Sequence, residues 1–230
     1  MVRATPGDLT DCGSHLWFGH YGLMSGSPDA AAHWDGAYTA GVIARSWFQQ
    51  QPRMSLLMFD RAGVTASDSV IDVGGGASPL AGALLARGFR DITVLDISAA
   101  GMEHARQCLG ARAANIQWLV ADLLTWVPPR RYRVWHDRAV FHFLTTADDR
   151  RRYLRTVGDA SAPDAVAVFG CFAPDGPQQC SGLPVARYSP GELADQFGSG
   201  WTLIGQAREE HLTPAGLIQP FTWATLRKRP

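Results

Sequence analysis

The chain reads as a doubly wound α/β protein, a parallel sheet with helices on both faces. Three observations predict it. From Ser69 onward, short runs rich in Val, Ile and Leu alternate with helical segments. The runs lack a polar side, as strands covered on both faces do. Three consecutive glycines follow the first run, in "SVIDVGGGASPL", where a strand-to-helix turn without β-carbons leaves room above it.

Each element follows in order. Residues 1–30, rich in Gly, Ser and Asp, read as a loose leader with one short helix. From His33 to Ala62 the apolar residues Trp34, Tyr38, Val42, Ile43, Trp47 and Phe48 recur at helical spacing, and Leu56, Leu57 and Phe59 form a second set. "SVIDV" (69–73) is the first strand, and "PLAGALLARGF" a helix with Pro79 early and Gly88 as its stop. "DITVLDIS" (91–98) is the second strand, followed by a helix ending at Gly110 and a third strand in "NIQWLVADLL" (115–124). "YRVWHDRAVFHFL" (132–144) starts as a strand and turns helical near Ala139; "DDRRRYLRTVGDA" continues the helix, and "AVAVFGCFA" (165–173) is the fifth strand. "WTLIGQAREEHL" and "IQPFTWATLRKR", joined through Thr213-Pro214-Ala215-Gly216, read as a closing antiparallel hairpin. These boundaries give a leader and helical cap over 1–66 and a core over 67–230.

Composition narrows the partners. Apolar residues make up 46% and charged residues 18%, and 21 basic side chains balance 21 acidic ones. A neutral chain lacks the basic excess of general nucleic-acid or anionic-membrane binders. Lysine occurs only at 228. The cysteines, at 12, 108, 171 and 180, show neither CxxC nor zinc-finger spacing, so free thiols in a reducing compartment and no metal site are expected. No run of about 18 apolar residues suggests a membrane span, and "MVRATPGDLTDCGSHLW" has no uninterrupted apolar stretch like that of a signal peptide. A cytoplasmic location is expected.

In a doubly wound sheet, ligands sit beyond the carboxyl ends of the strands, where strand order reverses. Gly74, Gly75 and Gly76 form the turn there. The dinucleotide pattern G-x-G-x-x-G fails, because the sixth position from Gly74 is Pro79. A nucleoside carrying an amino-acid portion makes another demand: an acid for its ammonium group, and Asp72 stands just before the turn. Asp96 closes "TVLD", 24 residues after Asp72, where an acid accepts both ribose hydroxyls. Asp122 closes "WLVAD", placed to accept from an adenine amino group. Each acid alone is as well explained as a helix cap; three of them beside one glycine turn favour a shared crevice.

"VIDVGGGAS", "VLDIS" and "VADLL" resemble the motifs of class I S-adenosylmethionine-dependent methyltransferases, from about Ser67 through the C-terminal hairpin, and "HWDGAY" resembles a feature of some members. "WHDRAVFHFL" and "FAPDGPQQCSGLPVARY" are similar to an uncharacterised small bacterial subgroup. The resemblance implies a seven-stranded sheet of order 3-2-1-4-5-7-6 with strand 7 antiparallel. It also implies S-adenosylmethionine as cofactor and S-adenosylhomocysteine as product. By the same resemblance, Gly74 and Gly76 flank the methionine portion, Asp96 binds the ribose, Asp122 with Leu123 surrounds the adenine, and Gly75 and Ile97 are further cofactor contacts.

A sulfonium methyl is already activated, so alignment of an acceptor is the main requirement, with a base where the acceptor must lose a proton. His136 and Asp137, at the end of strand four, are the candidate catalytic pair. His142 reads as a packed residue. The loop 172–190 is long enough to wall an acceptor site and offers Cys180, Arg187 and Tyr188 as substrate contacts. Trp34 and Tyr38, four residues apart, can close over the cofactor. The leading reading is methyl transfer to a small molecule. Protein lysine methylation, a nicotinamide-dependent oxidoreductase and a non-catalytic cofactor-binding protein are the alternatives.

Overall fold

The computed structural model describes residues 28–39, 41–42 and 45–230; most of the expected leader, with Cys12, and Ile43 lie outside the described residues. Seven strands form one sheet: β1 (Val70–Val73), β2 (Ile92–Asp96), β3 (Gln117–Val120), β4 (Tyr132–Arg138), β5 (Ser161–Phe172), β6 (Trp201–Leu212) and β7 (Ile218–Lys228). Their spatial order is β3-β2-β1-β4-β5-β7-β6. β1 through β5 run parallel, and β7 is antiparallel to both of its neighbours. The order reverses between β1 and β4, beside the glycine turn.

Helices α1 (Pro28–Thr39), α2 (Arg53–Ala62), α3 (Leu80–Ala86), α4 (Ala99–Leu109), α5 (Ala147–Ala160) and α6 (Pro190–Asp195) complete the described fold. Met58 and Phe59 of α2, Leu80 and Leu84 of α3 and Met102 of α4 pack on one face of the sheet, against Val70, Val94, Val134 and Val168. Tyr153 and Val157 of α5 and Leu193 of α6 pack on the other, against Ile71, Leu95, Trp135 and Phe169. β1 and β2 are buried along their whole length, which is why their sequences show no polar side.

Local chemistry sets the ends. Gly88, at φ +86°, closes α3 by donating to Leu85 O, with Phe89 donating to Leu84 O. Ser98 caps α4 and Thr146 caps α5. Ser189 and Glu192 form a reciprocal capping box on α6, with Pro190 at its first position.

Two segments differ from the sequence reading. The helical pattern over 33–62 is interrupted: α1 stops at Thr39, Gly41 takes φ +105°, and Trp47 and Phe48 lie in a connection that ends at Pro52. A left-handed glycine and a residue preceding proline both disfavour continuous helix. After β4 the chain makes a single 3-10 turn, Phe141–Phe143, rather than running helically into α5.

Candidate active site

The carboxyl ends of β1, β2 and β4 and the segment after β3 open into one cleft of about 1290 Å³, part of it open to solvent. Asp72, Gly74, Asp96, Ile97, Asp122, Leu123, His136, Cys180, Trp34 and Tyr38 all line it. The three acids therefore face one space.

Asp72 is 2% exposed, and its oxygens have different surroundings. Oδ1 lies 2.7 Å from His136 Nδ1, and His136 Nε2 lies 2.9 Å from Ser55 Oγ on α2. Oδ2 has no hydrogen-bond partner among the described residues. A buried carboxylate oxygen without a donor is costly, and an ammonium group would supply that donor. Gly75 makes this placement possible, since a β-carbon there would stand 2.6 Å from Asp72 Oδ2. Gly74, at φ +64°, begins the turn.

Asp96 Oδ2 accepts from Gly76 N–H (2.8 Å) and Oδ1 from Ser98 N–H (2.7 Å). Each oxygen keeps a lone pair for a further donor, as a ribose diol requires. Burial pushes this carboxyl up to about 6, against the two backbone donors. Asp122 Oδ1 accepts from Leu124 N–H (2.9 Å) while the residue stays half-buried. These residues fit an adenosyl amino acid: an orphan acceptor for the ammonium, a diol-sized carboxylate and a third acid beyond it.

The helical cap closes over the glycine turn. Asp35 Oδ1 accepts from Ser98 O–H (2.6 Å) and Ala100 N–H (3.0 Å), tying α1 to the start of α4. The Tyr38 ring lies where a β-carbon on Gly101 would come within 2.6 Å of its Cε2, and a β-carbon on Gly76 would collide with its hydroxyl. Trp34 meets Phe143 edge-on at 5.1 Å, and Tyr38 meets Trp47 at 5.4 Å. Gly76 thus admits the aromatic cover and bonds Asp96; neither it nor Gly75 lines the cleft.

Other candidates fall elsewhere. Asp137, expected beside His136 at the reacting atoms, points to the opposite face of the sheet, because successive strand residues alternate. It is fully buried and accepts from Val140 N–H, Phe141 N–H and the Tyr153 hydroxyl; it is a clamp for the turn after β4. Arg187 and Tyr188 do not line the cleft either. The loop after β5 folds back, with Val185 N–H on Gln178 O and Ala186 N–H on His142 O. This sends Arg187 to Gly176 O (3.2 Å) and Tyr188 against Phe141 in the α5 core. Within that loop, Gln179–Cys180 pairs with Leu183–Pro184 around Ser181 and Gly182, both at positive φ. Burial pushes the Cys180 thiol up to about 11, so it is protonated at neutral pH. His142 is buried against Phe143 and Phe172, and burial pushes it down to about 3.

Sequence reasoning did not select Ser55 or Arg138, and both line the cleft. Arg138 was legible by position, two residues after His136 on the same face of β4. Ser55 carried no motif. Among the described residues no three His, Cys, Asp or Glu side chains gather as a metal site, and no helix is long and apolar enough to cross a membrane.

Residues 70–164 match the family described as a methyltransferase domain. No curated protein is detectably similar in sequence. Several solved structures share the fold. One, from work on the conversion of a disulfide bond into a thioacetal group during echinomycin biosynthesis, is 21% identical with a TM-score of 0.69, covering 87% of this chain and 92% of its own. A SAM-dependent methyltransferase from Anabaena variabilis is 14% identical with a TM-score of 0.69, covering 88% and 96%. The 1,6-didemethyltoxoflavin-N1-methyltransferase of Burkholderia thailandensis, with its didemethyltoxoflavin and S-adenosylhomocysteine bound, is 16% identical with a TM-score of 0.61, covering 88% and 90%. Residues 70–164 thus match a methyltransferase domain, carried on a sheet with the strand order of a class I, Rossmann-like fold.

Proposed function

We propose that this enzyme methylates a small organic molecule, in a reducing, cytoplasmic setting and without nucleic-acid or membrane partners. The observation that carries the reading is the roof over the cleft. Trp34, Tyr38, Trp47, Phe48 and Gln49 of the N-terminal segment line the same cleft as the ends of β1 and β4 and Cys180. An acceptor held there is bounded on both sides, as small-molecule sites are, whereas a protein lysine needs an open groove. A fold neighbour with bound 1,6-didemethyltoxoflavin and S-adenosylhomocysteine supports the same reading. The thiols of Cys108, Cys171 and Cys180 are free, in keeping with the compartment. The organisation into a leader and cap (1–66) and a catalytic core (67–230) is part of this proposal, the cap serving as the roof.

When bound, S-adenosylmethionine supplies a methyl group on a sulfonium. In this reading Asp72 Oδ2 accepts from the ammonium, Asp96 beside Ile97 accepts from the ribose, and Asp122 with Leu123 borders the adenine. His136 holds its proton on Nδ1 toward Asp72, leaving the Nε2 lone pair to accept from Ser55. An acceptor proton passed to Ser55 Oγ then moves the serine's own proton to His136, with Asp72 steadying the resulting imidazolium. Orienting the acceptor can supply roughly 7–11 kcal/mol of barrier reduction.

The test is incubation with methyl-tritiated cofactor and a cell lysate, followed by separation of macromolecules from metabolites. Label in the small-molecule fraction is expected. Label confined to protein would replace this reading with lysine methylation.

A further inference from the structure

We propose that Arg138 receives a carboxylate of the methyl acceptor, so that the substrates of this enzyme are small organic acids; the inference rests on the methyltransferase reading above. Arg138 ends β4 and lines the cleft, one pleat beyond His136 on the same face. Its Nη1 donates to Trp47 O (3.0 Å), and its guanidinium lies 4.7 Å from the centre of the Phe221 ring. Nε and Nη2 are shielded from water and have no acceptor among the described residues. These two N–H groups form the parallel side-on fork of a guanidinium, the edge that matches the two oxygens of a carboxylate.

No carboxylate among the described residues lies within ion-pair distance of Arg138. Glu209 is the acid whose charge most influences it, but its oxygens accept from Gln49 Nε2 (2.9 Å) and Trp223 Nε1 (2.8 Å) instead. A buried charge left in this condition lowers stability, and such costs persist at sites that serve a ligand. Two ligands bring a carboxylate to this cleft: an acid acceptor, and the methionine portion of the cofactor. Position favours the acceptor. Phe221 lies on β7, with β4 and β5 between it and the glycine turn on β1. The nearby lining of Trp47, Phe48 and Phe143 suits an apolar body behind the acid group.

Calorimetry on the full chain tests this in two stages. First, S-adenosylhomocysteine is titrated into wild type, Arg138→Met and Arg138→Lys. Then benzoate, phenylacetate and hexanoate, each beside its primary amide, are titrated into the loaded proteins. Unchanged S-adenosylhomocysteine affinity is expected, with acids binding wild type and their amides not. Both variants should bind the acids about 100-fold more weakly, since two charged hydrogen bonds are lost. Arg138→Met should keep or raise Tm, whereas a purely structural arginine would lower it; Arg138→Lys retains the charge without the fork. Amides that bind as well as acids, or acids that do not bind loaded wild type, overturn the proposal while leaving the methyltransferase reading intact. A loss of S-adenosylhomocysteine affinity in folded variants would instead assign the fork to the cofactor and overturn the acceptor role. Failure of wild type to bind S-adenosylhomocysteine would remove the underlying reading itself.

Discussion

The imidazole of His136 bridges Asp72 on β1 and Ser55 on α2, while the next residue, Asp137, holds the far side of the same strand together. Two substitutions separate these neighbours. Asp137→Ala leaves the buried Phe141 N–H, the part-buried Val140 N–H and the Tyr153 hydroxyl without their acceptor, so a loss of about 3 kcal/mol is expected. Thermal unfolding should show a Tm lower by roughly 6–12 °C, with cofactor affinity retained in the folded protein. Ser55→Ala interrupts the path to His136; kcat should fall about 100-fold with little change in Tm. Asp96 gives a pH signature. Burial raises its folded-state value to about 6, so folding favours its protonated form, and its contribution to stability is lost as pH rises through about 6. Ribose hydroxyls donate to the ionised form, so cofactor binding takes the opposite sign. S-adenosylhomocysteine affinity measured from pH 5 to 8 should climb through about 6, and Asp96→Asn should flatten that rise. The alternation separating His136 from Asp137 was legible in the sequence, since adjacent strand residues cannot face one site. Which face held the cleft was not, because β4 carries ionisable groups on both sides, His136 and Arg138 on one and Asp137 on the other.

At the level of elements, helix α1 is held to the core by contacts that no local pattern announces. Asp35 reaches the start of α4, and Tyr38 settles over Gly76 and Gly101. Gly101→Ala sets two effects against each other. Helix propensity favours alanine by about 1 kcal/mol. The added β-carbon, 2.6 Å from Tyr38 Cε2, forces the aromatic cover outward, and such overpacking costs about 1–3 kcal/mol. The clash is expected to win at the cleft, giving roughly tenfold weaker S-adenosylhomocysteine binding by calorimetry; unchanged affinity would detach α1 from the cofactor site. β1 and β2 were legible because burial on both faces leaves a continuous apolar run. The break between α1 and α2 was obscured, since Trp47 and Phe48 continue a helical spacing while lining a cleft. The fold-back of the loop after β5 depends on backbone bonds to Gln178, His142 and Phe172, which the loop's own composition does not encode.

Across the whole molecule, the sheet order brings the β1 turn between β2 and β4, so carboxylates far apart in sequence open into one cleft. That convergence followed from the strand ends alone. The chemistry of the proposed acceptor site needed side chains of α2 and β7 to meet those of β4, Ser55 at His136 and Phe221 at Arg138. The most direct measurement is a crystal structure of the complex with S-adenosylhomocysteine. The expected result is an adenosyl group lying across the ends of β1 to β3. The ammonium should meet Asp72, the ribose Asp96 and the adenine Asp122, with the sulfur turned toward His136 and Arg138. A ligand bound elsewhere, or one that leaves Asp72 Oδ2 and Asp96 without new donors, would contradict it.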